Sequence, residues 1–306
     1  MRRAGLEPAT RCLEAIWERT VCLTCGNAPM ARAEAVQLAG VNAASHCLAR
    51  VGYGYARYLI GGGFLESLFY ELDAWGPAIG GASGARTCTL NGLAKIASAN
   101  SPYAVGNELI CSRLGLLIGL PVPPGLITRT DDDEPAYVSI RFGPKGQLPP
   151  PANSQHLVED NPSLAAGIIA FDCWTANDDR HEQNLAYVRE PKIPLAVFDH
   201  ERALLGQTAG AGTGRLKDER DNPHVGGCLC PYVTSDAEFS DWASRIGSVS
   251  ARVIRDLAAM ASAAGAMTAD EASAIEEFLV HRKSRILPMI QASQATLPNV
   301  TQWGMA

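Results

Sequence analysis

"FDCWTANDDRHEQNLAY", Phe171 to Tyr187, decides how the rest of the chain is read. It continues "LAAGIIAF", a run that reads as buried, and between Asn177 and Asn184 gathers three acidic groups, an arginine, a histidine and carboxamides. Leu164, Ile168, Phe171 and Trp174 recur at helical spacing after Asn161-Pro162, which predicts a helix through Trp174. "NLAYV" reads as a strand. Asn177 to Asn184 is then a loop between a buried helix and a strand, and its polar groups need partners to offset their desolvation. A bound metal and phosphate would supply them. Asp179 and Asn184 stand five residues apart, and Asp199 follows fifteen residues later at the end of the apolar run "LAVFDH". Two carboxylates and a carboxamide oxygen are hard donors of the kind magnesium takes, with water and phosphate oxygens completing the octahedron.

Working upstream, "GGASGA" (80–85) is a small-residue loop, and "RTCTL-NG-LAKIA" places five residues on each side of Asn91-Gly92, a two-residue hairpin signal. Strand alternation puts Leu93, Lys95 and Ala97 on one face, so Lys95 sits mid-strand among small apolar neighbours. "SPYAVGNELICSRLGLLIGLPVPPG" predicts a helix with Ile110, Leu114 and Leu117 at helical spacing, stopped by Gly119 and Pro121. "VSIRF" is a short strand between acidic and proline-rich loops. Downstream the chain is helical: "SARVIRDLAAMASAAG" ends on Gly265, and "TADEASAIEEFLVHRKSRIL" opens on the capping pair Thr268 and Glu271 and finishes with cations.

The spacing D-x-x-x-x-N, followed by an apolar strand ending in Asp, resembles the catalytic loop and metal-binding Asp of protein kinases. "NDDRHEQN" with "VFDHE" is more similar to HipA-type toxin kinases and phosphoinositide kinases, and "NELICSRLGLLIGLPVPPG" is similar to the N-lobe helix of compact HipA-like kinases. The resemblance spans about residues 80–206. It implies an α+β, two-lobed protein-kinase-like fold, with a small β-rich N-lobe over 51–142 and a mainly helical C-lobe over 143–306. It also implies ATP and Mg2+ in the cleft and transfer of the γ-phosphoryl group to a hydroxyl, with Ser or Thr of a protein as the expected acceptor.

Position by position, the resemblance makes Asp179 the catalytic acceptor of the hydroxyl proton and gives Asn184 and Asp199 the magnesium. Lys95 matches the lysine on the α- and β-phosphates, Glu108 the helix carboxylate that orients it, and Gly80, Gly81, Ser83 and Gly84 the phosphate-covering loop. "GGASGA" departs from the kinase G-x-G-x-x-G. Regulation in toxin kinases suggests Ser83 as an autophosphorylation site, and the resemblance also raises an antitoxin-like protein partner.

Other readings stand beside these. Asp179 and Asn184 could belong to a polar loop that caps the preceding helix, with Asp178 the better cap. Arg180 and His181 suit loop-bracing hydrogen bonds, and Lys95 could be a snorkelling edge-strand lysine. "GQTAGAGTGRLKDERDNPHVGG" is either a flexible linker or the mobile segment that shapes a substrate site. A lipid or small-molecule kinase, an inactive nucleotide-binding pseudokinase and a transferase of AMP to protein remain rivals.

The 306 residues are long enough for a large core or two lobes, and 47% apolar with 19% charged composition is that of a globular chain. A net charge of -6 argues against coating nucleic acid, and no apolar run is long enough to suggest a membrane span. Nine irregularly placed cysteines without a secretory leader suggest free thiols in a reducing cytoplasm. Cys22 and Cys25, or His224, Cys228 and Cys230, have zinc-like local spacing but lie some two hundred residues apart. The opening "RAGLEPATRCLE" resembles a peptide read out of a transfer-RNA gene, which makes 1–50 an extension foreign to the fold; the alternative is a genuine short helix.

Overall fold

The computed structural model describes residues 57–60, 63–66, 72–80, 84–142, 149–190 and 193–304. The readings of 1–50, Gly81 and Ser83 lie outside these residues. Gly76–Thr87 belongs to one compact unit, and the remaining described chain forms another.

The fold is α+β, with small sheets in its first part and a mainly helical second part. β1 (Arg57–Ile60) pairs antiparallel with β2 (Gly63–Glu66), and β3 (Leu72–Ala78) pairs with β4 (Arg86–Leu90). β5 (Gly92–Ile96), β6 (Gly125–Arg129) and β7 (Pro135–Ile140) make an antiparallel sheet with β7 in the middle, in a register that sets Lys95 opposite Tyr137.

The hairpin expected at Asn91-Gly92 does not form, because β4 and β5 lie in different sheets. A two-residue turn signal is a local preference, and here long-range pairing overrides it: Gly92 pairs with Ile140, and Arg141 N–H donates to the Asn91 carbonyl at 2.8 Å. The glycine serves a close approach instead, since a Cβ at position 92 would lie 2.5 Å from Val138 Cγ1.

α1 (Ala104–Ile118) follows β5 and ends on Gly119, whose φ of 93° lets its N–H reach back to the last carbonyls. The helix packs on β7, burying Leu109, Ile110 and Leu114, while Leu117 is exposed. α2 (Ser154–Asp160) is capped by Asn153, which accepts from His156 N–H at 2.9 Å. α3 (Pro162–Thr175) begins with its proline in the first turn and is buried from Ala165 to Thr175. A helix buried on every face must be surrounded, and α5 (Phe239–Ser248), α7 (Ala269–Arg282) and α8 (Ile286–Ala292) do so.

β8 (Leu185–Val188) and β9 (Ile193–Val197) form the antiparallel pair that follows the polar loop. The single helix expected across "TADEASAIEEFLVHRKSRIL" is two. Pro288 would break a continuing helix, and the restart at Ile286 places it in a first turn, where its missing N–H costs nothing. Thr268 and Glu271 form the reciprocal capping box that their spacing predicts, and α6 (Ala251–Ala263) packs on α7.

The glycine-rich run after Asp199 is not a plain linker, because it contains α4 (Gly212–Asp218) and is fastened at both ends. Arg215 donates to the carbonyls of Leu204 and Ala176. Arg282, fully buried at the end of α7, donates to the carbonyls of Glu219 and Asn222, each at 2.7 Å, and to that of Cys173 in α3. No helix among the described residues is long and apolar enough to cross a membrane.

Where α3 crosses α5, a Cβ at Gly167 would lie 2.4 Å from the Trp242 indole. Gly167→Ala should therefore destabilise the protein by about 1–3 kcal/mol through overpacking. Urea unfolding should show a lower midpoint with an unchanged slope, and an unchanged midpoint would refute the close packing.

Candidate active site

α3 ends at Ala176, whose left-handed backbone (φ 52°) turns the chain out of the core. The loop that follows is held from beneath. Arg180 donates from Nε and Nη2 to the two oxygens of Asp172 in α3, both at 2.9 Å. Its Nη1 donates to the carbonyls of Asn184 at 3.1 Å and Phe198 at 2.8 Å. Asn177 Nδ2 adds a bond to Asp172 Oδ1 at 2.8 Å. Burial favours loss of the guanidinium charge, but the Asp172 carboxylate outweighs it and keeps the Arg180 pKa above its ordinary value.

Arg180 is thus the brace that its position suggested. His181 accepts from Gln183 N–H at 3.2 Å and caps the short 3-10 turn Glu182–Asn184. Asp178 caps no helix. Its oxygens instead lie 3.6 Å from Arg202 Nε and 4.0 Å from Arg215 Nη2, because the helix end before it is closed by backbone geometry rather than a side chain.

Three separate elements meet at Lys95. Its Nζ lies 2.6 Å from Glu108 Oε1 on α1 and 2.6 Å from Asp199 Oδ1 beyond β9, with Glu201 Oε2 at 3.4 Å. Burial lowers the Lys95 pKa, but the charges of Glu108 and Asp199 and its hydrogen bonds to them more than compensate, holding the ammonium well above the ordinary lysine range. Burial would raise the Glu108 pKa, yet it is held at about 2 by His200 and Lys95. His200 N–H donates to Glu108 Oε1 at 3.0 Å, and the fully buried ring places Nδ1 3.4 Å from Oε2 without making a hydrogen bond. Lys95 lies on an edge strand, but its amine is held by these carboxylates rather than snorkelling to solvent.

Asp199 has a left-handed backbone (φ 63°), a conformation Asp tolerates better than most residues, and its side chain is 35% exposed. The turn it opens is pinned by Asn107, a fully buried residue that donates from Nδ2 to the Glu201 carbonyl at 2.8 Å and accepts from Leu205 N–H at 3.4 Å. Asn184 lies across the β8–β9 ladder from this segment, its carbonyl accepting from Phe198 N–H at 3.2 Å. Its Nδ2 donates to the Asp179 carbonyl at 2.8 Å, and its Oδ1 accepts no hydrogen bond from a described residue. Asp179 Oδ1 accepts from Arg202 Nη1 at 3.3 Å.

A cavity of about 280 Å³ adjoins the Lys95 cluster, with Leu93, Val122, Tyr137, Phe142 and Phe198 among its walls and Lys95, Glu108, Asp199 and His200 at its polar end. Gly80 and Gly84, expected in the phosphate-covering loop, belong to the unit that holds Gly76–Thr87, where Ile79 N–H donates to the Ala85 carbonyl at 2.8 Å. Among the described residues no three His, Cys, Asp or Glu side chains gather to hold a metal. His224 instead pairs with Glu219 at 2.7 Å, and Cys230 donates to the Gly226 carbonyl. Sequence reasoning did not single out Asn107, Glu201 or Arg202. Asn107 adjoins Glu108, and the other two follow Asp199 in "DHER", but a lone carboxamide or charge at such a position reads as solvated.

No family model matches the chain, and no curated protein matches it. Among solved structures it is similar to the Helicobacter pylori proinflammatory kinase CtkA, at 10% identity and a TM-score of 0.45, over 85% of this chain and 98% of that one. It is also similar to a chain of the Shewanella oneidensis HipA, HipB and operator DNA complex, at 13% identity and a TM-score of 0.33, over 98% of this chain and 74% of that one.

Two measurements probe the electrostatics. Arg180→Met leaves Asp172 buried without its cation and should cost about 3–5 kcal/mol in unfolding free energy; a loss below 1 kcal/mol would contradict the brace. The depressed Glu108 pKa stabilises the fold above the carboxyl's ordinary value, and that stability drains as pH falls from about 4.5 towards 2, by roughly 3 kcal/mol in all. Denaturant titrations across this window should find Glu108→Gln less steeply acid-sensitive than wild type, whereas parallel curves would refute the assignment.

Proposed function

We propose that the chain is an ATP-dependent, HipA-like kinase that transfers the γ-phosphoryl group to a hydroxyl, with Ser or Thr of a protein as acceptor. The observation that carries this reading is the convergence of Lys95, Glu108 and Asp199, from a strand, a helix and a strand end, on contacts of 2.6 Å. Phosphoryl transfer needs little covalent help from the protein and much positioning and charge neutralisation, which a helix-anchored lysine beside an accessible carboxylate provides.

The donor set suits magnesium. Asp199 is partly exposed beside the cavity, and Asn184 Oδ1 has no hydrogen bond from a described residue, so one carboxylate and one carboxamide oxygen would hold the ion while phosphate and water complete its shell. When bound, magnesium neutralises charge on the phosphates. Lys95 would grip the α- and β-phosphates, Glu108 keeps its amine in place, and the apolar cavity wall suits a flat base. Asp179 would accept the hydroxyl proton, and a phosphate-covering role for Gly80, Gly81, Ser83 and Gly84 is supported by the motif resemblance alone. An antitoxin-like partner belongs to the same reading and is supported by the motif resemblance alone.

Purified chain given radiolabelled ATP and magnesium should label itself or dephosphorylated casein. Lys95→Ala, Asp199→Ala and Asp179→Asn should each slow labelling about a hundredfold or more, near 3 kcal/mol of transition-state stabilisation. Nucleotide binding without turnover, or AMP rather than phosphate on the product by mass spectrometry, would overturn the reading.

A further inference from the structure

Asp178 and Asp179 are adjacent carboxylates, 51% and 31% exposed, and among the described residues no member of their loop hydrogen-bonds the Asp179 carboxylate. The loop contacts of Asp179 use its backbone: its N–H donates to Asn177 Oδ1 at 3.3 Å, and its carbonyl accepts from Asn184 at 2.8 Å. Arg180, next in sequence, is spent on Asp172 and two carbonyls inside the fold. Among the described residues the hydrogen bond to the Asp179 carboxylate comes from Arg202 Nη1, at 3.3 Å on Oδ1, while the same guanidinium places Nε 3.6 Å from Asp178. Asp179 Oδ2 lies 3.9 Å from His181 Nε2, beyond hydrogen-bond reach.

We propose that Arg202 is the positioning residue for Asp179: it screens the paired acidic residues from each other, occupies Oδ1, and leaves Oδ2 as the oxygen that receives the acceptor's proton. The inference rests on the kinase reading. In the transfer, the acceptor oxygen forms a bond to the γ-phosphorus, and the bond from that phosphorus to the bridging oxygen breaks, its electron pair leaving with ADP. The hydroxyl proton passes to Asp179 Oδ2. Arg202 lies three residues after Asp199 in the turn that Asn107 pins, so one short segment sets both the carboxylate beside Lys95 and the cation on Asp179. Its side chain is 41% exposed, unlike that of Arg180, so it can follow Asp179 as the acceptor enters.

The test is steady-state labelling of dephosphorylated casein and of the chain itself with ATP and magnesium, comparing wild type, Arg202→Gln, Arg202→Lys, Asp179→Asn and the Arg202→Gln/Asp179→Asn double variant. Arg202→Gln should lower kcat at least tenfold with the KM for ATP within twofold, Arg202→Lys should recover part of the loss, and the double variant should be no slower than Asp179→Asn alone. Unchanged kcat in Arg202→Gln, or a rise in KM alone, overturns the inference. So does equal loss in the Lys and Gln variants with a lowered thermal midpoint, or a further tenfold loss in the double variant. A wild-type chain without turnover overturns it together with the kinase reading, and that arm tells the two failures apart.

Discussion

A buried ion pair between Arg180 and Asp172 holds the candidate site to the core. Both side chains are nearly inaccessible, at 2% and 3% exposure. Such a pair survives in a low-dielectric interior only when nearly every donor and acceptor is used, and here the fork-to-fork contact is completed by Asn177 and by the carbonyls of Asn184 and Phe198. Those carbonyls belong to the residue just before β8 and to the residue before Asp199. One guanidinium therefore ties the central helix, the polar loop and both strand ends, and Asn184 and Asp199 take their positions from it.

The second constraint is charge balance around Lys95. Glu108 and Asp199 lie on opposite sides of the question a ligand would pose: the former is buried and fixed by α1 and His200, the latter partly exposed. A lysine fixed from behind by one carboxylate keeps its position when another partner changes, which makes the amine a preorganised cation rather than a mobile surface charge. Glu201, at 3.4 Å, adds negative charge that a bound cation would offset.

Local elements were legible wherever the signal was short-ranged. The course of α3 to Thr175, the Gly119 stop of α1 and the Thr268–Glu271 capping box all follow from contacts within a few residues. Asn91-Gly92 misled because its turn preference was weaker than the pairing of β5 with β7, and the glycine answered to Val138 instead. β6, α4 and α5 carried no comparable signal. Trp242 of α5 packs against Gly167, a complementarity between residues far apart in the chain that no local pattern reveals.

By itself the sequence determined that a polar loop follows a buried helix and that a strand lysine, a helix glutamate and a strand-end aspartate occur in that order. Residue type and spacing act along the chain, so those features could be read from it. Only the tertiary structure decided which cation is locked inside and which stays half-exposed at the loop, since Arg180 and Arg202 differ in their surroundings and not in their chemistry. It also decided that Asn107 pins the turn after Asp199, a contact between residues about a hundred positions apart. Desolvation and hydrogen bonding at that range depend on how the elements pack, and neighbouring residues do not encode it.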